Sequence, residues 1–219
     1  MIDLNGLIPL AEDGATTRHE RSDAAANRAL ILQTAERLFA ERGVADVCMS
    51  EIAEAAGVGK GTLYRRFANK GELCLALMDR QMSDFQNSML AQFAAQTAER
   101  VPYLEQLMAF LTALVEFTEV HSPLLVEVQH AGMLPQAGLT QDDPRLRLPH
   151  IWQYMTVSAL LRSAARAGEV TADLDLEYLG EALLAPLQVD YFRFQRQVRG
   201  YSTERIAAGL GELVRLLGL

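Results

Sequence analysis

The fold of this chain is decided by residues 52–73, which read IAEAAGVGKGTLYRRFANKGEL. Apolar residues recur at helical spacing in 49–56 and again in 60–67, which predicts two short helices. Only residues 57–59 separate them, and the two glycines there suit the end of one helix and the start of the next. Two short helices joined by such a turn are typical of a helix-turn-helix, whose second helix enters the major groove of DNA.

The helix predicted at 60–67 carries different chemistry on its two sides. Leu63 and Phe67 share one side, which predicts a contact with a core. The other side is small, hydroxylated and basic: Gly61, Thr62, Tyr64 and Arg65. Such groups bind phosphates, and a bare glycine lets a base edge approach the backbone. A short basic cluster is also common on a solvated helix face, and a tyrosine is often a packed aromatic, so a structural role stays open.

A second stretch extends this pattern upstream. Residues 38–43, Leu-Phe-Ala-Glu-Arg-Gly, close a helix predicted for 24–42. Together with residues 52–73 they resemble the signature of the tetracycline-repressor (TetR) family of bacterial transcription regulators, over about residues 25–75. The resemblance implies a homodimeric repressor that binds double-stranded palindromic operator DNA and releases it when a small-molecule effector binds the C-terminal domain.

The resemblance also implies roles for individual residues. Places that contact bases or nearby backbone in the family are matched by Lys60, Gly61 and Tyr64. Phosphate-contacting places are matched by Thr62, Arg65 and Lys70, with Arg66 as a further candidate. Ser50 stands where many members carry an arginine that reaches a guanine, and serine is too short to repeat that contact. We therefore expect weak base preference at Ser50.

Two capping positions depart from the family's pattern. Cys48 stands where Thr or Ser often caps the helix at 49–56 and pairs with an acid three residues on, here Glu51. Gly59 stands where Ser is frequent at the start of the recognition helix. We expect neither residue to supply a side-chain cap, and we expect the helix after Cys48 to fray or to start differently.

The remainder of the chain is predicted to be helical as well. Periodicity and stop signals predict further helices at 70–98, 103–120, 122–131, 149–167, 174–199 and 203–217, with a kink at Pro186. The result is an all-α fold of about nine helices. We expect a flexible leader at 1–22, a helix-turn-helix domain at 23–69, and a ligand-binding and dimerisation domain at 70–219.

The effector site of the second domain is predicted from large apolar side chains mixed with a few polar ones, as in ligand pockets. Any of these side chains, which recur at helical spacing, can equally be core packing, and a histidine is often simply hydrogen-bonded structure. The candidates are Phe85, Met89, Phe93, Phe110, Phe117, His121, Gln129, His130, Met133, Trp152, Tyr154 and Met155.

The dimer interface is predicted from a weaker resemblance. Residues 168–175 and the Ala-Pro-Leu at 185–187 are similar to the C-terminal domain of the TetR family, in which the last two helices pair with their symmetry mates. A homodimer would place two recognition helices about 34 Å apart, as a palindromic operator requires. The predicted interface residues are Leu183, Leu184, Leu187, Tyr191, Leu210, Leu213 and Leu217.

Composition narrows the function classes. The net charge of −8 is distributed as −3 over residues 1–14, +1 over 15–80 and −6 over 81–219, so an acidic chain has a near-neutral N-terminal third. No stretch without a charged residue is longer than 14 residues, which predicts no membrane span. Cys48 and Cys74 form no C-x-x-C pair, as suits a reducing compartment. We expect a cytoplasmic protein without a cofactor or a metal.

One motif favours a different class of protein. Glu127 and His130 form a Glu-x-x-His, the spacing that places both ligands of a di-iron bundle on one helix face. That chemistry needs a second such motif, and the sequence contains none. We therefore expect no catalytic residues and no enzyme, and the alternative is a helical-bundle metal-binding protein or oxidase.

Overall fold

Helices make up the regular structure in residues 14–132, 149–171 and 173–218, which are the parts of the chain that the computed structural model describes. Side chains are described from residue 25 and, after the first gap, from residue 151. The only extended pairing within these ranges is an isolated bridge between Val170 and Gly218. The predicted all-α fold is therefore confirmed. The helices are α1 (Gly14–Arg42), α2 (Met49–Ala55), α3 (Lys60–Arg66), α4 (Lys70–Ala98), α5 (Tyr103–His130), α6 (Pro149–Ala167), α7 (Leu176–Leu184), α8 (Val189–Arg193) and α9 (Thr203–Arg215).

The start of α1 differs from the prediction. The helix begins at Gly14 rather than near residue 24, so its first turns occupy part of the leader predicted for 1–22. Residues 1–13 lie outside the described ranges. The apolar positions from which the helix was predicted, such as Ile31 and Ala35, lie in the part of α1 that packs on a core.

Two prolines have opposite effects on the helices that contain or adjoin them. α5 continues through Pro123 as one helix, although separate helices were predicted at 103–120 and 122–131. The buried side chains that follow, Leu124 and Val128, anchor this part of α5 and offset the cost of a mid-helix proline, about 3 kcal/mol. At Pro186, by contrast, the single helix predicted for 174–199 is interrupted: a 3₁₀ turn at Ala185–Leu187 separates α7 from α8, and a π-helical turn at Phe194–Val198 follows α8.

The first of two compact units ends at Ala68 and contains α1 to α3. Its core is built from fully buried side chains of all three helices, including Ile31 of α1, Ile52 of α2 and Leu63 of α3. Phe67 closes α3 and is 3% exposed, and the guanidinium of Arg28 lies over its ring, 5.6 Å from the centroid. Short helices such as α2 and α3 are marginal on their own, so this shared core is what stabilises them.

The second unit begins at Asn69 and is organised around α5. This helix packs against α4, α6 and α9, and its fully buried residues include Leu107, Phe110 and Leu114. Among the described helices, α5 alone is long and apolar enough to span a membrane by length and composition. Its neighbours explain that composition, because a helix with packing partners on several sides is apolar around much of its circumference.

Two long-range polar contacts hold α5 in place. The N-cap residue Pro102 offers no side-chain acceptor, and the carboxylate of Glu169 accepts hydrogen bonds from the backbone N–H groups of Tyr103 and Leu104, both at 2.9 Å. Farther along, the carboxylate of Glu119 accepts from Nε and Nη2 of Arg196 at 2.9 and 2.8 Å. The carboxylate of Glu169 thus satisfies the free amides at the start of α5, and the paired contact from Arg196 fixes the π-helical turn against α5.

Candidate nucleic-acid interface

The turn between α2 and α3 depends on a left-handed glycine. Gly57 has φ of 64°, and its N–H donates to the carbonyl of Glu54 at 3.0 Å. The N–H of Val58 donates to the carbonyl of Ala53 at 3.0 Å, so the last turn of α2 is closed before the chain reverses. Gly59 then opens α3 without a side-chain cap, as predicted.

The start of α2 is better supported than the sequence suggested. The helix begins at Met49, directly after Cys48, so the expected fraying or shift is not observed. The carboxylate of Glu51 accepts from the backbone N–H of Cys48 at 2.8 Å and lies 2.8 Å from Nη2 of Arg42. These hydrogen bonds, with the Cys48 backbone contact as the largest cause, lower the pKa of Glu51 to about 2. Cys48 and Glu51 thus form a capping box at the start of α2, although a cysteine is an unusual residue in this place.

The two sides of α3 differ in exposure as the helical wheel predicts. Leu63 is fully buried, whereas Tyr64 next to it keeps 47% of its surface exposed. Lys60, Gly61 and Arg65 are exposed as well. The side chains that 60–67 contributes to the core of the first unit are Leu63 and Phe67. We call Lys60, Gly61, Tyr64 and Arg65 the outer face of α3.

The other predicted DNA-binding residues are less accessible. Ser50 in the first turn of α2, and Thr62 and Arg66 on α3, are half-buried. Lys70 belongs to the second unit, where its Nζ lies 3.3 Å from Oε1 of Glu127 and its side chain is only 17% exposed. Lys70 is therefore already engaged by a carboxylate, a partner that its sequence neighbourhood does not reveal.

Gly61 offers a test that separates folding from DNA binding. A Cβ at this position would meet no atom within 4 Å, and the backbone of Gly61 is not left-handed. Gly61→Ala should therefore raise the free energy of unfolding by about 0.5 kcal/mol, because glycine is the poorer helix former. If bases approach the bare backbone here, the same variant should bind operator DNA less tightly.

The control for that prediction is Gly57→Ala. The chemical change is the same, but Gly57 has a φ of 64°, at which a residue with a Cβ is strained. Gly57→Ala should therefore lower the free energy of unfolding by about 1 kcal/mol. Thermal melts and operator titrations of both variants supply the comparison. Unchanged operator affinity in Gly61→Ala would remove Gly61 from the candidate interface.

The predicted effector residues come together in part. Aromatic rings from α4, α5 and α6 form one cluster, in which the Phe85 centroid lies 4.6 Å from that of Phe117 and 5.9 Å from that of Trp152. The ring of His121 is tilted against that of Phe117, with the centroids 4.2 Å apart. Burial lowers the pKa of the His121 imidazole, which favours its neutral form near pH 7. All four of these side chains are half-buried. We call Phe85, Phe117, His121 and Trp152 the aromatic cluster.

Other predicted effector residues have different surroundings. Phe93 and Tyr154 are half-buried and pack against the core of the second unit, whereas Phe110 and Met89 are buried within it. Nε2 of Gln129 donates to Oδ2 of Asp190 at 2.5 Å, a contact that ties α5 to α8. His130 and Met155 are exposed, and Met133 lies outside the described residues. The structure thus brings together the aromatic cluster and Phe110, whose ring centroid lies 5.6 Å from that of Trp152.

The predicted dimer residues require a correction. Leu183, Leu184, Leu187 and Leu210 are 1 to 8% exposed, because they pack into the core of their own chain. Side chains so deeply buried have almost no surface left to bury against a second copy, so these four are removed from the candidate interface. Leu217 is half-buried and packs against the same core.

Large apolar side chains are exposed on the last helical elements of the chain, as others are on α4 to α7. Tyr191 and Leu213 were predicted and are 53% and 50% exposed. Three more were not predicted from the sequence: Phe194, Val198 and Leu216, whose side chains are 43%, 70% and 80% exposed. Their spacing gave a partial signal, since 191, 194 and 198 recur at helical intervals. We call Tyr191, Phe194, Val198, Leu213 and Leu216 the exposed apolar face.

The geometry does not favour the metal-site alternative. Glu127 is paired with Lys70 and His130 is exposed at the end of α5. Within the described ranges, no group of three or more His, Cys, Asp or Glu side chains is arranged to hold a metal ion. The Glu-x-x-His spacing is thus incidental to a helix whose glutamate has another partner.

The site described above defines a class of protein. Two short helices around a tight turn, with a buried inner side and a hydroxylated, basic outer face, form a helix-turn-helix DNA-binding domain. The family model of the bacterial regulatory proteins of the tetR family matches residues 31–77, which include the whole of α2 and α3. Residues 31–77 therefore match the DNA-binding domain of the tetR family.

Relatives and solved structures agree with this assignment. An HTH-type transcriptional regulator of Staphylococcus aureus (strain bovine RF122 / ET3-1) is 43% identical over 65 residues, which are 30% of this chain and 35% of that relative. The chain thus spans about a third of the length of the curated relatives it matches, and the similarity lies in the DNA-binding domain.

The helical fold of the second unit is also found in solved proteins. CprB from Streptomyces coelicolor, a TetR family protein solved in complex with its biological operator sequence, has a TM-score of 0.57 at 27% identity and covers 90% of both chains. AibR, solved in complex with isovaleryl coenzyme A and operator DNA, has a TM-score of 0.54 at 24% identity, covering 85% of this chain and 97% of that chain. The likeness therefore extends well beyond the helix-turn-helix.

Proposed function

We propose that this protein is a homodimeric transcriptional repressor that binds a palindromic operator through α3 and is released when a small molecule binds its second unit. The observation that carries the proposal is the outer face of α3, held outward by the buried Leu63 and Phe67. CprB, which shares this fold at 27% identity, is solved on its operator sequence, and this supports the same use of α3 here.

The aromatic cluster is the proposed effector site. Its rings come from α4, α5 and α6, they are half-buried rather than sealed in the core, and the neutral His121 supplies one donor and one acceptor. Apolar walls with a few polar groups are what small-molecule sites require. The protein acts by binding rather than by catalysis, and it acts in the cytoplasm, where operator DNA is accessible.

The exposed apolar face is the proposed dimer interface. Leu213 and Leu216 lie near the end of α9, and both retain at least half of their surface exposed in the single chain. Leu213→Glu combined with Leu216→Glu should therefore convert a dimer to a monomer without unfolding the chain, because a charge buried between subunits is unpaired. The monomer should bind the operator at least about 100-fold more weakly, since it reads one half-site.

Light scattering of the purified variant measures this directly, and Leu90→Glu is the matched control. Leu90 on α4 is 58% exposed and lies outside the exposed apolar face, so its replacement should leave the dimer intact. If the double variant stays dimeric at micromolar concentration, the interface lies elsewhere on the chain.

Selection of tight-binding duplexes from random DNA tests the function as a whole. Wild-type protein should enrich an inverted repeat whose half-sites are about one helical turn apart, or a multiple of it. An effector screen then follows, with loss of the complex as its readout. Failure to enrich any sequence at low salt, from protein free of bound small molecules, would contradict the proposed function.

A further inference from the structure

The first turn of α4 is tied to the last turns of α5 by an ion pair. Nζ of Lys70 lies 3.3 Å from Oε1 of Glu127, and the two side chains are only 17% and 22% exposed. Partly buried ion pairs are less screened than surface pairs, so each charge here is effectively neutralised by the other. Lys70 is also the residue that the TetR resemblance assigns to an operator phosphate.

Close packing fixes the position of this pair. A Cβ on Gly71 would lie 2.3 Å from Cβ of Ala131 and 2.9 Å from the carbonyl oxygen of Glu127, so only glycine fits where α4 meets α5. One turn later the buried Cys74 has its pKa raised to about 12, first by burial and then by the charge of Glu127. The carboxylate of Glu127 therefore lies close to the first turn of α4.

The place occupied by this carboxylate is one that suits a phosphate. The amides at a helix N-terminus and a lysine beside them attract an anion, and both groups are present at the start of α4. In the absence of DNA, the anion that Lys70 binds is Glu127. A phosphate can gain the full charge of Lys70 only if this carboxylate gives it up.

We propose that Glu127 is an internal competitor of operator phosphate for Lys70, and that it sets operator affinity by holding this lysine in the DNA-free protein. The inference rests on the proposed function and deepens its regulation. Glu127 is also suited to respond to an effector, because α5 carries Phe117 and His121 of the aromatic cluster and reaches Glu127 six residues after His121. That separation is about 9 Å along the helix.

Removal of the carboxylate charge tests the competition. In Glu127→Gln, operator affinity should rise about fivefold, because a phosphate no longer has to displace a carboxylate. The slope of log affinity against log salt should become steeper by about 0.9, the value for one additional neutralised phosphate. Both quantities come from titrations of the full-length protein with its selected operator at several salt concentrations.

Glu116→Gln is the matched control for net charge. Glu116 is an exposed glutamate on the same helix, eleven residues before Glu127, so its replacement removes the same charge from the protein. It should change operator affinity less than twofold and leave the salt slope unchanged. An equal gain in both variants would mean that general charge, rather than competition for Lys70, controls affinity, and would overturn the proposal.

A double-mutant cycle separates competition from positioning. In a Lys70→Met background, Glu127→Gln should have no effect on operator affinity, because the contested lysine is gone. If Glu127→Gln weakens operator binding in the wild-type background, Glu127 positions Lys70 for DNA, and the competition is refuted. If the wild-type protein binds its operator and Glu127→Gln binds it with the same affinity, the competition is refuted and the proposed function stands. If the wild-type protein selects no operator, both are refuted.

Discussion

Replacement of Tyr64 by alanine is expected to weaken operator binding by about 1 to 3 kcal/mol, which is roughly 5- to 150-fold, while the melting temperature stays within about a degree of wild type. The ring is 47% exposed on the outer face of α3, so its removal leaves the core of the first unit untouched. The loss should be larger on the selected operator than on random DNA, because Tyr64 matches a base-contacting place.

Arg65→Ala provides the comparison on the same helix. Arg65 is exposed and matches a phosphate-contacting place, so its loss should weaken selected and random duplexes alike and lower the salt slope by about 0.9. Fluorescence anisotropy with both duplexes separates the two patterns. If Tyr64→Ala also weakens both duplexes equally, Tyr64 does not read bases.

The second large effect is expected one residue earlier in the chain. Leu63 is fully buried in the core of the first unit, so Leu63→Ala should lower the free energy of unfolding of this unit by about 2 to 5 kcal/mol. A small helical unit has a total stability of similar size. DNA binding should therefore be lost because α3 is no longer folded, and not because a contact is missing.

Hydrogen exchange distinguishes this outcome from a general loss of structure. Amides of α2 and α3 should exchange faster in Leu63→Ala, whereas amides in the core of α5 should keep their wild-type protection. Leu30→Ala is the control, because Leu30 on α1 is 43% exposed and the same truncation should cost less than about 1 kcal/mol there. Unchanged exchange in α3 would show that Leu63 does not hold the recognition helix in place.

The helix-turn-helix could be predicted because its determinants are local. Gly57 supplies the left-handed turn, and Leu63 and Phe67 mark the inner side of α3 within a single turn of helix. The exposure of Tyr64 then follows from geometry alone. A local pattern of this kind needs no knowledge of what else the chain packs against.

The dimer residues could not be predicted in the same way. Periodic leucines such as Leu184 and Leu210 show that a helix has an apolar side, but not whether that side faces its own chain or a second one. The structure assigns them to the core of the chain. Leu213 lies on the same helix as Leu210, but half of its surface is exposed and is available to a partner.

The long-range polar pairs could not be predicted from the sequence either. Glu169 satisfies the amides at the start of α5 from 65 and 66 residues away, and Glu119 binds Arg196 from 77 residues away. Glu127 stood out only through a spurious metal motif, and its actual partner is Lys70. No local spacing encodes such contacts, because they depend on how helices distant in sequence are packed.

Recognition of a specific operator by this protein is tested most directly by competition binding. The affinity of the wild-type dimer for the selected inverted repeat should be compared with that for a duplex of the same length and composition in scrambled order, at about 150 mM salt. Specific recognition predicts a preference of at least about a thousandfold. Equal affinity for the two duplexes would contradict it and would leave only electrostatic attraction between a basic helix and DNA.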